Sequence, residues 1–507
     1  MTSHIDGIQI WMLAPELSVV LLGFLVLGMD LITHNRRVVA ATALIGLLIP
    51  LGFTLSLVVK QDALTPDHTA FFHMLVVDGY ALFFQFLFLV IGFGVLLVSY
   101  GYVEKFLRVT IGEYYSIILL SLAGMMLMAS TGELISVYIS LELTSIPLYI
   151  LAGLSRSDTR SAEAAVKYVL LGAMSSAILL YGMALLYGAT GTTDLTEIAR
   201  NTKAALASGN LVLLAADVFI FTGFGFKISA VPFHMWAPDI YEGAPTPSTL
   251  FFSVGSKAAG FAALLRVFIF GGLAAISGGT YLWVMVAIVA AVTMTLGNVV
   301  ALLQTNIKRM MAYSSIGQAG YLLVGFAAIM ISNSPAGNLG ILAFLAVYVV
   351  TNIGAFTGII GLADATGKEN IRDFDGLGRR APFIAAGMGL CLLSLAGIPP
   401  MAGFWQALHP AHGLEPGIGA HLAGGAGPDQ QRDLHRLLRQ RGLAHVRRGA
   451  GEARPAGDVW LGDADDGGGG RRHPGADHRL RLPADRPGRR RRRALPDGYD
   501  AVGGASG

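Results

Sequence analysis

The sequence predicts an all-α polytopic membrane protein, and three observations support this class. Of its 507 residues, 54% are hydrophobic and only 14% are charged, whereas soluble domains carry about 25% charged residues. Apolar stretches recur along the chain, each with the ~20 residues that a helix needs to cross the hydrocarbon core of a bilayer. The single cysteine, Cys391, excludes a disulfide framework, an iron–sulfur cluster or a zinc-thiolate site held by this chain alone.

Twelve apolar segments can be counted in chain order. The first lacks the basic start and the small-residue cleavage site of a signal peptide, so we expect it to remain as a membrane helix. The approximate cores are residues 10–30, 38–59, 77–100, 111–129, 132–153, 163–188, 211–231, 248–270, 281–303, 310–331, 337–362 and 382–406.

Basic residues in the short loops predict the orientation, because they concentrate on the cytoplasmic side. The loops after segments 1, 3, 5, 9 and 11 are rich in them, whereas the alternate loops hold only Lys60, Arg200 and Lys203. We therefore expect a multi-pass protein of the inner (cytoplasmic) membrane with its N-terminus outside. The basic residues of the first group are Arg36, Arg37, Lys105, Arg108, Arg156, Arg160, Lys167, Lys308, Arg309, Lys368, Arg372, Arg379 and Arg380.

Segment 7 runs into a stretch that a continuous membrane helix would not contain. Residues 226–249, FKISAVPFHMWAPDIYEGAPTPST, include Lys227, His234 and four prolines. Proline removes a backbone donor and disrupts the preceding turn, and the freed backbone groups must find partners in protein or water. A broken helix beside ionisable residues points to an ion site near the membrane midplane.

Two further ionisable residues lie within apolar segments. Glu142 is central in LISVYISLELTSIPLYIL and Lys257 lies in SVGSKAAGFAALLR. A charge at such a depth normally faces a partner or a water-filled cavity. Because burial and a nearby carboxylate act oppositely on a lysine, Lys227 and Lys257 can change charge state when a neighbour moves. The imidazole of His234 can pass a proton between two groups. The pattern predicts a proton relay; a structural pair for Glu142 and a packed core position for His234 remain the alternatives.

Other charged residues receive more ordinary interpretations. We expect Lys308 and Arg309, at the start of segment 10, to be interfacial anchors, with a relay role as the alternative, and Asp78 to lie at a membrane interface. Asp217 and Arg266 lie within spans, where a structural ion pair or water contact is as consistent with the sequence as a transport role.

The composition changes after Trp405. Residues 407–507 contain no phenylalanine and no lysine, but include a glycine run at 467–470 and an arginine run at 489–493. A disordered basic tail that touches anionic lipid or nucleic acid is one interpretation. We favour an out-of-frame translation of GC-rich DNA, because the change falls in the middle of segment 12.

These motifs resemble those of one family. The stretch FGFKISAVPFHMWAPDIYEGAPTPSTLFFSVGSKAAGFAALLRVF, with ELTSIPLYIL, KRMMAYSSIGQAGY and SLAGIPPMAGF, is similar to the antiporter-like membrane subunits of proton-pumping NADH:quinone oxidoreductase (respiratory complex I). The short N-terminus, with LAPELSVVLLGFLVLGMDL, is most similar to subunit N of that family. The resemblance covers residues 1–406.

The resemblance implies two inverted five-helix repeats, each with a broken helix, in a family that usually has 14 membrane helices. Residues 1–110 would hold helices 1–3, residues 111–270 the first repeat, residues 281–406 a truncated second repeat, and residues 407–507 would be foreign to the family. It also implies that Glu142 and Lys227 act as a modulating ion pair, Lys257 as the central relay and His234 as a connecting residue.

The resemblance further implies where the chemistry belongs. NADH, flavin, iron–sulfur clusters and quinone would be bound in the complex and not by this chain, with neighbouring membrane subunits, the lipid bilayer and protons as its partners, and no nucleic acid. A lysine expected two positions after Trp405 is Ala407 here, which puts the second half of the pathway in doubt. A subunit of a cation/proton antiporter and a non-pumping membrane scaffold therefore remain open.

Overall fold

The computed structural model describes residues 7–403, except residues 34, 61–67, 108–110, 156, 208–210, 274–280 and 333–334. The predicted tail and the end of segment 12 lie outside these described residues. The elements in chain order are α1 (Gly7–Thr33), α2 (Arg36–Gly46), α3 (Leu48–Val59), β1 (Thr69–Ala70), β2 (Leu75–Val76), α4 (Gly79–Phe106), α5 (Ile111–Ala129), α6 (Leu134–Ala152), α7 (Thr159–Thr190), α8 (Leu195–Ala207), α9 (Leu211–Lys227), α10 (Trp236–Gly243), α11 (Thr246–Phe251), α12 (Lys257–Leu265), α13 (Tyr281–Leu302), α14 (Ile307–Ser332), α15 (Pro335–Thr366), α16 (Leu377–Arg380) and α17 (Pro382–Leu395).

Ten helical spans in the described part are long and apolar enough to cross a membrane, which confirms the all-α polytopic class. Each of the twelve predicted segments corresponds to a helix or to consecutive helices. The two that are too short for a full crossing are α9, with 17 residues, and α17, with 14. Both end at the proline-containing stretches, where the missing backbone donors prevent the helix from continuing.

The span that follows the first break is irregular. Two π-helical turns, Phe252–Ser256 and Arg266–Phe270, flank α12. A π turn inserts an extra residue into the helical repeat, and such turns occur frequently at functional sites. The first of them ends immediately before Lys257, so it sets the direction in which that side chain leaves the helix.

A short hairpin marks one side of the membrane region. Strands β1 and β2 pair in antiparallel fashion, and single bridges join Leu75 to Thr131 and Glu133 to Asp194. These contacts bring the end of α5, the start of α6 and the end of α7 to the same side of the membrane region. We call this the hairpin side, and we call the opposite side, at which α4, α6 and α15 end, the basic side.

Close packing fixes α6, the helix that carries Glu142, against α5. A methyl group added at Gly124 of α5 would lie 2.7 Å from the Thr144 backbone nitrogen and 2.9 Å from the Leu143 carbonyl carbon. The Ser121 hydroxyl donates to the Thr144 carbonyl at 3.0 Å across the same crossing. Small residues allow membrane helices to approach this closely, and here the contact falls beside Glu142.

We expect Gly124→Ala to destabilise the protein by about 1–3 kcal/mol, because the new methyl group meets backbone atoms that cannot rotate away. Gly361→Ala on α15 is the matched control, since a methyl group there meets nothing within 4 Å. Thermal unfolding in detergent, followed by tryptophan fluorescence, measures both variants. Equal transition midpoints for the two variants would contradict the tight crossing.

Candidate functional site

The candidate site begins at Lys227, the last residue of α9. The chain leaves the helix through Ser229, whose φ of 61° lies in the left-handed region. Ala230 N donates to Gly225 O at 2.8 Å, and Ser229 N donates to Phe226 O at 3.0 Å. This is a Schellman motif, which usually has glycine at the left-handed position. A serine there costs roughly 1–2 kcal/mol, so the surrounding structure holds the break in place.

Trp236, at the start of α10, closes the other side of the break. Its indole Nε1 donates to the Phe226 carbonyl at 2.8 Å, and its ring stacks on Tyr168 with the centroids 4.9 Å apart. A backbone acceptor at the end of α9 is thereby satisfied by a side chain, as an apolar environment requires. The break is a packed and hydrogen-bonded structure.

The amine of Lys227 is buried and points at α6. The side chain is 4% exposed; its Nζ donates to the Ser145 hydroxyl and lies 5.9 Å from the centre of the Tyr149 ring. Glu142 lies within electrostatic range of this amine. Glu142, Ser145 and Tyr149 follow one another at i, i+3 and i+7, which places them on one face of α6.

The predicted ion pair between Glu142 and Lys227 is not a direct contact in this structure. Among the described residues, the Lys227 amine makes its side-chain hydrogen bond to Ser145, and the buried Glu142 Oε1 has no hydrogen-bond partner. The two charges therefore influence each other through space. A small movement of either helix would change that influence.

Lys227 also packs on the helix that carries Lys257. A methyl group added at Gly260, three residues after Lys257, would lie 3.3 Å from the Lys227 Cβ. Lys257 is 1% exposed, and its Nζ donates to both the carbonyl and the hydroxyl of Ser315, the latter at 3.1 Å. Among the described residues, the hydrogen bonds of the Lys257 amine go to Ser315 and not to a carboxylate.

Buried hydroxyls lie between the two lysines. Tyr149 and Tyr168 meet with their ring centroids 4.8 Å apart, and the Tyr168 hydroxyl lies beside that of Ser256, the residue before Lys257. Among the described residues, none of these three hydroxyls makes a hydrogen bond of normal length and angle. Because buried polar groups are almost always hydrogen-bonded, these three hydroxyls are candidates for contacts that water mediates.

A further polar cluster connects the π turn before α12 to α15. The Ser253 hydroxyl lies 3.3 Å from the Tyr348 hydroxyl and donates to Asn352 Oδ1 at 3.4 Å. The Tyr241 hydroxyl, buried and without a hydrogen bond of normal geometry in the described part, lies beside Ser253 and Ser315. The surroundings of Lys257 therefore continue as polar groups towards the second half of the molecule.

His234 lies in the break, as predicted, but it contacts neither lysine. The side chain is partly exposed, and its Nδ1 is buried without a hydrogen-bond partner among the described residues. The Ala237 N–H donates to its carbonyl at 3.1 Å. Any connection from this imidazole to Lys227 or Lys257 would have to run through water.

The stretch after α17 repeats the backbone of the first break. Gly397, with φ of 68°, takes the place of Ser229. Its N–H donates to Ser394 O at 2.9 Å, and the next N–H, that of Ile398, donates to Leu393 O at 3.2 Å. In this alignment of the two hydrogen-bond patterns, Leu395 stands where Lys227 stands in the first break.

A side chain also satisfies a backbone acceptor at the second break. Gln318 of α14 donates through Nε2 to the Leu395 carbonyl at 2.8 Å, as Trp236 does to the Phe226 carbonyl at the first break. The second break thus has the same backbone turn without the buried amine, and the carbonyl that the side chain satisfies lies one position later than in the first break.

Charged residues clamp α10 at the basic side. Asp239 accepts from Lys167 at 2.8 Å and from Arg309 at 2.9 Å, and Arg309 also pairs with Glu242 at 3.0 Å. Burial tends to raise the pKa of the Asp239 carboxyl, but the two cations lower it below its usual value. The helix that follows the break is therefore held to both α7 and α14.

Lys308 is not the interfacial anchor that we predicted. Its side chain is 3% exposed, its Nζ pairs with Glu369 at 2.7 Å, and it donates to the Ala244 carbonyl at 3.0 Å. Because Lys308 stands at the start of a segment, its side chain was expected to face the loop. The chain from 366 to 371 instead folds back over Lys308 and brings Glu369 into contact with it. Sequence distance concealed this pair.

Arg266 forms a structural ion pair at the hairpin side, one of the two interpretations left open for it. Its guanidinium holds Asp78 in a bidentate contact of 2.6 and 2.9 Å and donates twice to the Ala129 carbonyl, at 3.1 and 2.7 Å. Asp217 has no such partner: both its carboxyl oxygens are buried without a hydrogen bond in the described part of the chain.

Sequence reasoning identified the charged members of the site but missed its hydroxyls. Serine and tyrosine are common in apolar helices, so Ser145, Tyr149, Tyr168 and Ser315 did not stand out. A usable signal was present in α6, where Ser145 and Tyr149 share a helical face with Glu142. For Ser315 no comparable signal exists, because its partner Lys257 lies on another helix.

The fold and the site define a class: a polytopic helical membrane protein in which a broken helix places two buried lysines on adjoining spans. Residues 131–409 match the family model described as "NADH:quinone oxidoreductase/Mrp antiporter, TM". The chain is 46% identical over 398 residues to NADH-quinone oxidoreductase subunit N of Desulforamulus reducens, covering 78% of this chain and 80% of that one. It is 47% identical over 384 residues to subunit N of Moorella thermoacetica, covering 76% and 77%.

A solved structure agrees with these relatives. The chain is similar to a chain of respiratory complex I from Thermus thermophilus with bound aureothin, with a TM-score of 0.63, 27% identity, and coverage of 87% of this chain and 91% of that one. The chain therefore belongs to the NADH:quinone oxidoreductase/Mrp antiporter family of membrane subunits, and the curated relatives named above are subunit N members. The family match ends at residue 409; the out-of-frame origin of the later residues stays a prediction.

Proposed function

We propose that this chain is a proton-translocating membrane subunit of a respiratory NADH-quinone oxidoreductase, in which a buried relay couples quinone reduction to proton pumping. The observation that carries the proposal is the juxtaposition of Lys227 and Lys257, two buried amines on adjoining helices at a helix break. The two relatives of this chain described above are named NADH-quinone oxidoreductase subunit N, and their sequences align with over three quarters of this chain.

The proposed mechanism is electrostatic. Redox chemistry elsewhere in the complex alters the charge or the distance of Glu142 with respect to Lys227. The altered charge at Lys227 then changes the proton affinity of Lys257, which lies on the helix against which Lys227 packs. Moving one charge against 100 mV requires about 2.3 kcal/mol, and two unit charges 4 Å apart interact by about 4 kcal/mol at an effective dielectric constant of 20. The interaction energy of one such charge pair is therefore large enough to drive one proton against a potential of 100 mV.

The hydroxyls supply the path. A proton leaving Lys257 can pass to Ser315, and the Tyr149, Tyr168 and Ser256 hydroxyls connect the two lysines through water. We propose His234 as a connecting residue at the break, since its imidazole can accept a proton on one nitrogen while it releases one from the other.

We propose that the protein sits in the cytoplasmic membrane with its N-terminus and the hairpin side outside, because the basic loops lie on the other side. Neighbouring membrane subunits of the complex are its partners. NADH, flavin, iron–sulfur clusters and quinone are assigned to the complex and not to this chain.

We further propose that residues 111–270 and 281–406 are two repeats. The shared hydrogen-bond pattern at Ser229 and Gly397 supports this division. The second repeat carries Leu395 at the position of Lys227 and Ala407 where the family pattern has a lysine, so the proposed pump depends mainly on the first repeat.

A cation/proton antiporter is the second candidate, because the matched family model also includes Mrp antiporters. It would use the same lysines. Proton uptake that depends on sodium and not on NADH oxidation would favour it.

Glu142→Gln tests the proposal. In membrane vesicles that contain the assembled complex, proton movement per NADH oxidised is expected to fall about fivefold or more, the lower range of coupling between two sites. A fluorescent ΔpH probe and NADH absorbance measure the two rates together. The control is Glu197→Gln, an exposed glutamate on α8. Unchanged pumping with reduced assembly would instead favour the scaffold function.

A further inference from the structure

Glu16 is a buried carboxyl outside the lysine relay. It lies in α1 and is 1% exposed. Its Oε1 accepts from Gln85 Nε2 at 2.7 Å. The Ser130 hydroxyl lies 3.3 Å from the same oxygen and 3.1 Å from its other acceptor, the Met126 carbonyl. Three elements meet here: α1, the start of α4 and the turn after α5, all in the hairpin-side half of the membrane region. The three residues also precede the part of the chain that matches the family model.

The hydrogen bonds at Glu16 are unevenly distributed. Oε1 accepts from Gln85 and has the Ser130 hydroxyl within hydrogen-bond distance, while Oε2 is buried and has no partner among the described residues. The Oε1 of Gln85, a residue 0% exposed, is likewise buried without a partner there. A protonated carboxyl fits this pattern, because its carbonyl oxygen accepts while its hydroxyl donates. One proton on Oε2 turns one of the two unsatisfied acceptors into a donor.

No cation balances Glu16 in the described structure. Helices α2, α3 and α5 pack on α1, yet no charged side chain from them or from α4 acts on this carboxyl. Tyr80 of α4 faces Arg266 instead. A buried carboxylate without a paired cation is costly, which favours proton uptake. The charged residues of the neighbouring helices lie at the helix ends: Asp30, Arg36, Arg37, Glu104, Lys105 and Glu113 on the basic side, and Lys60 and Asp78 on the hairpin side. Lys60 lies over the ring of Trp11, and Asp78 pairs with Arg266.

The Glu16 pocket adjoins the anchor of the relay helix. Ser130, whose hydroxyl lies within hydrogen-bond distance of Glu16, follows Ala129, whose carbonyl accepts twice from Arg266. Arg266 starts the π turn at the hairpin-side end of the span that carries Lys257, and Asp78 holds it there. A change in the hydrogen bonds of Ser130 therefore reaches the backbone that anchors this span.

We propose that Glu16, Gln85 and Ser130 form a second buried proton-binding site, separate from the lysine relay, in the hairpin-side half of the membrane region. The site takes up and releases a proton at Glu16 and transmits its state to the anchored end of the relay span. Its existence does not depend on the proposed pumping function, since protonation of one carboxyl can be observed whether or not the complex pumps.

Infrared difference spectroscopy of membranes that contain the full chain in its complex tests this site. Between two pH values, the wild type is expected to show a carbonyl-stretch change from a protonated carboxyl that Glu16→Gln removes. Gln85→Leu should shift the same band to higher frequency, because the Glu16 carbonyl loses a hydrogen-bond donor. The control is Glu133→Gln, which changes a buried glutamate whose carboxylate caps α6. This variant should leave the band in place.

Three results would overturn the proposal. The first is a difference spectrum that Glu16→Gln leaves unchanged. The second is a Glu16 band that is constant with pH, which identifies a permanently neutral structural carboxyl. The third is a band that responds to sodium at fixed pH, which identifies a sodium site. If Glu16→Gln lowers the amount of chain in the membrane, the frequency shift of the carbonyl band in Gln85→Leu is the test. A band that does not shift in that variant would then overturn the proposal.

Discussion

Replacing Lys257 by methionine is expected to abolish proton pumping while the chain remains folded and assembled. Methionine has a similar length and fills irregular apolar space, so the packing around α12 is retained. The variant removes the amine that donates to the Ser315 carbonyl and hydroxyl. The amine is the group that changes its proton occupancy in the proposed relay, and methionine places no proton-binding group in its position.

This result is measured in membrane vesicles that contain the complex. NADH oxidation and the ΔpH signal are recorded together, so that loss of coupling is distinguished from loss of electron transfer. Lys60→Met is the matched control, because Lys60 is exposed on the hairpin side. Lys257→Arg retains a charge but cannot release its proton near neutral pH, and we expect it to be inactive as well. Pumping at the wild-type ratio in Lys257→Met would exclude the relay.

The largest expected loss of stability follows from Arg266→Met. Removal of one partner from a buried ion pair costs about 3–5 kcal/mol, and this guanidinium also satisfies the Ala129 carbonyl. Arg266 is 3% exposed by its side chain and Asp78 is 28% exposed, so solvent screens the pair only partly. Thermal unfolding in detergent measures the loss. The control is Lys368→Met, since Lys368 forms a surface pair at 3.9 Å with its own side chain 66% exposed, a kind of pair that contributes little.

The pH dependence of Asp78→Asn provides a second measurement of the same pair. Burial tends to raise the pKa of the Asp78 carboxyl, but Arg266 lowers it below its usual value. A lowered native pKa stabilises the fold above the unfolded pKa, which is about 3.9 for aspartate, and this contribution is lost as the pH falls through the native pKa. The difference in unfolding midpoint between wild type and Asp78→Asn should therefore be constant near neutral pH and should shrink below about pH 4. A constant difference down to pH 3 would contradict the pairing.

The sequence predicted the membrane helices because hydropathy alone determines them. A span must be apolar along its length whether its faces meet lipid or other helices, so long apolar stretches can be recognised without knowledge of tertiary contacts. The prolines after Lys227 and at residues 399–400 marked the two breaks for a comparably local reason. The positions of Glu142, Lys227 and Lys257 also followed, since a charge inside an apolar stretch is conspicuous.

What the sequence did not reveal depends on contacts between distant residues. Glu16 is close to the N-terminus of the chain, and no sequence pattern near it predicts its contact with Gln85 and Ser130. The pairing of Lys308 with Glu369 depends on how the chain folds back after α15. Serine and tyrosine hydroxyls become functional candidates only when a buried amine lies beside them, as Ser315 lies beside Lys257.

The two breaks have the same backbone, yet one presents the amine of Lys227 and the other presents the methyl groups of Leu395. Hydrogen bonds from Trp236 and Gln318 and a residue in the left-handed region shape both breaks, and none of these elements requires a charge. The scaffold and the ionisable group are therefore independent modules. A duplicated gene could acquire or lose a lysine at this position without refolding the helix, so subunits of one architecture can diverge into conducting and silent copies by single substitutions.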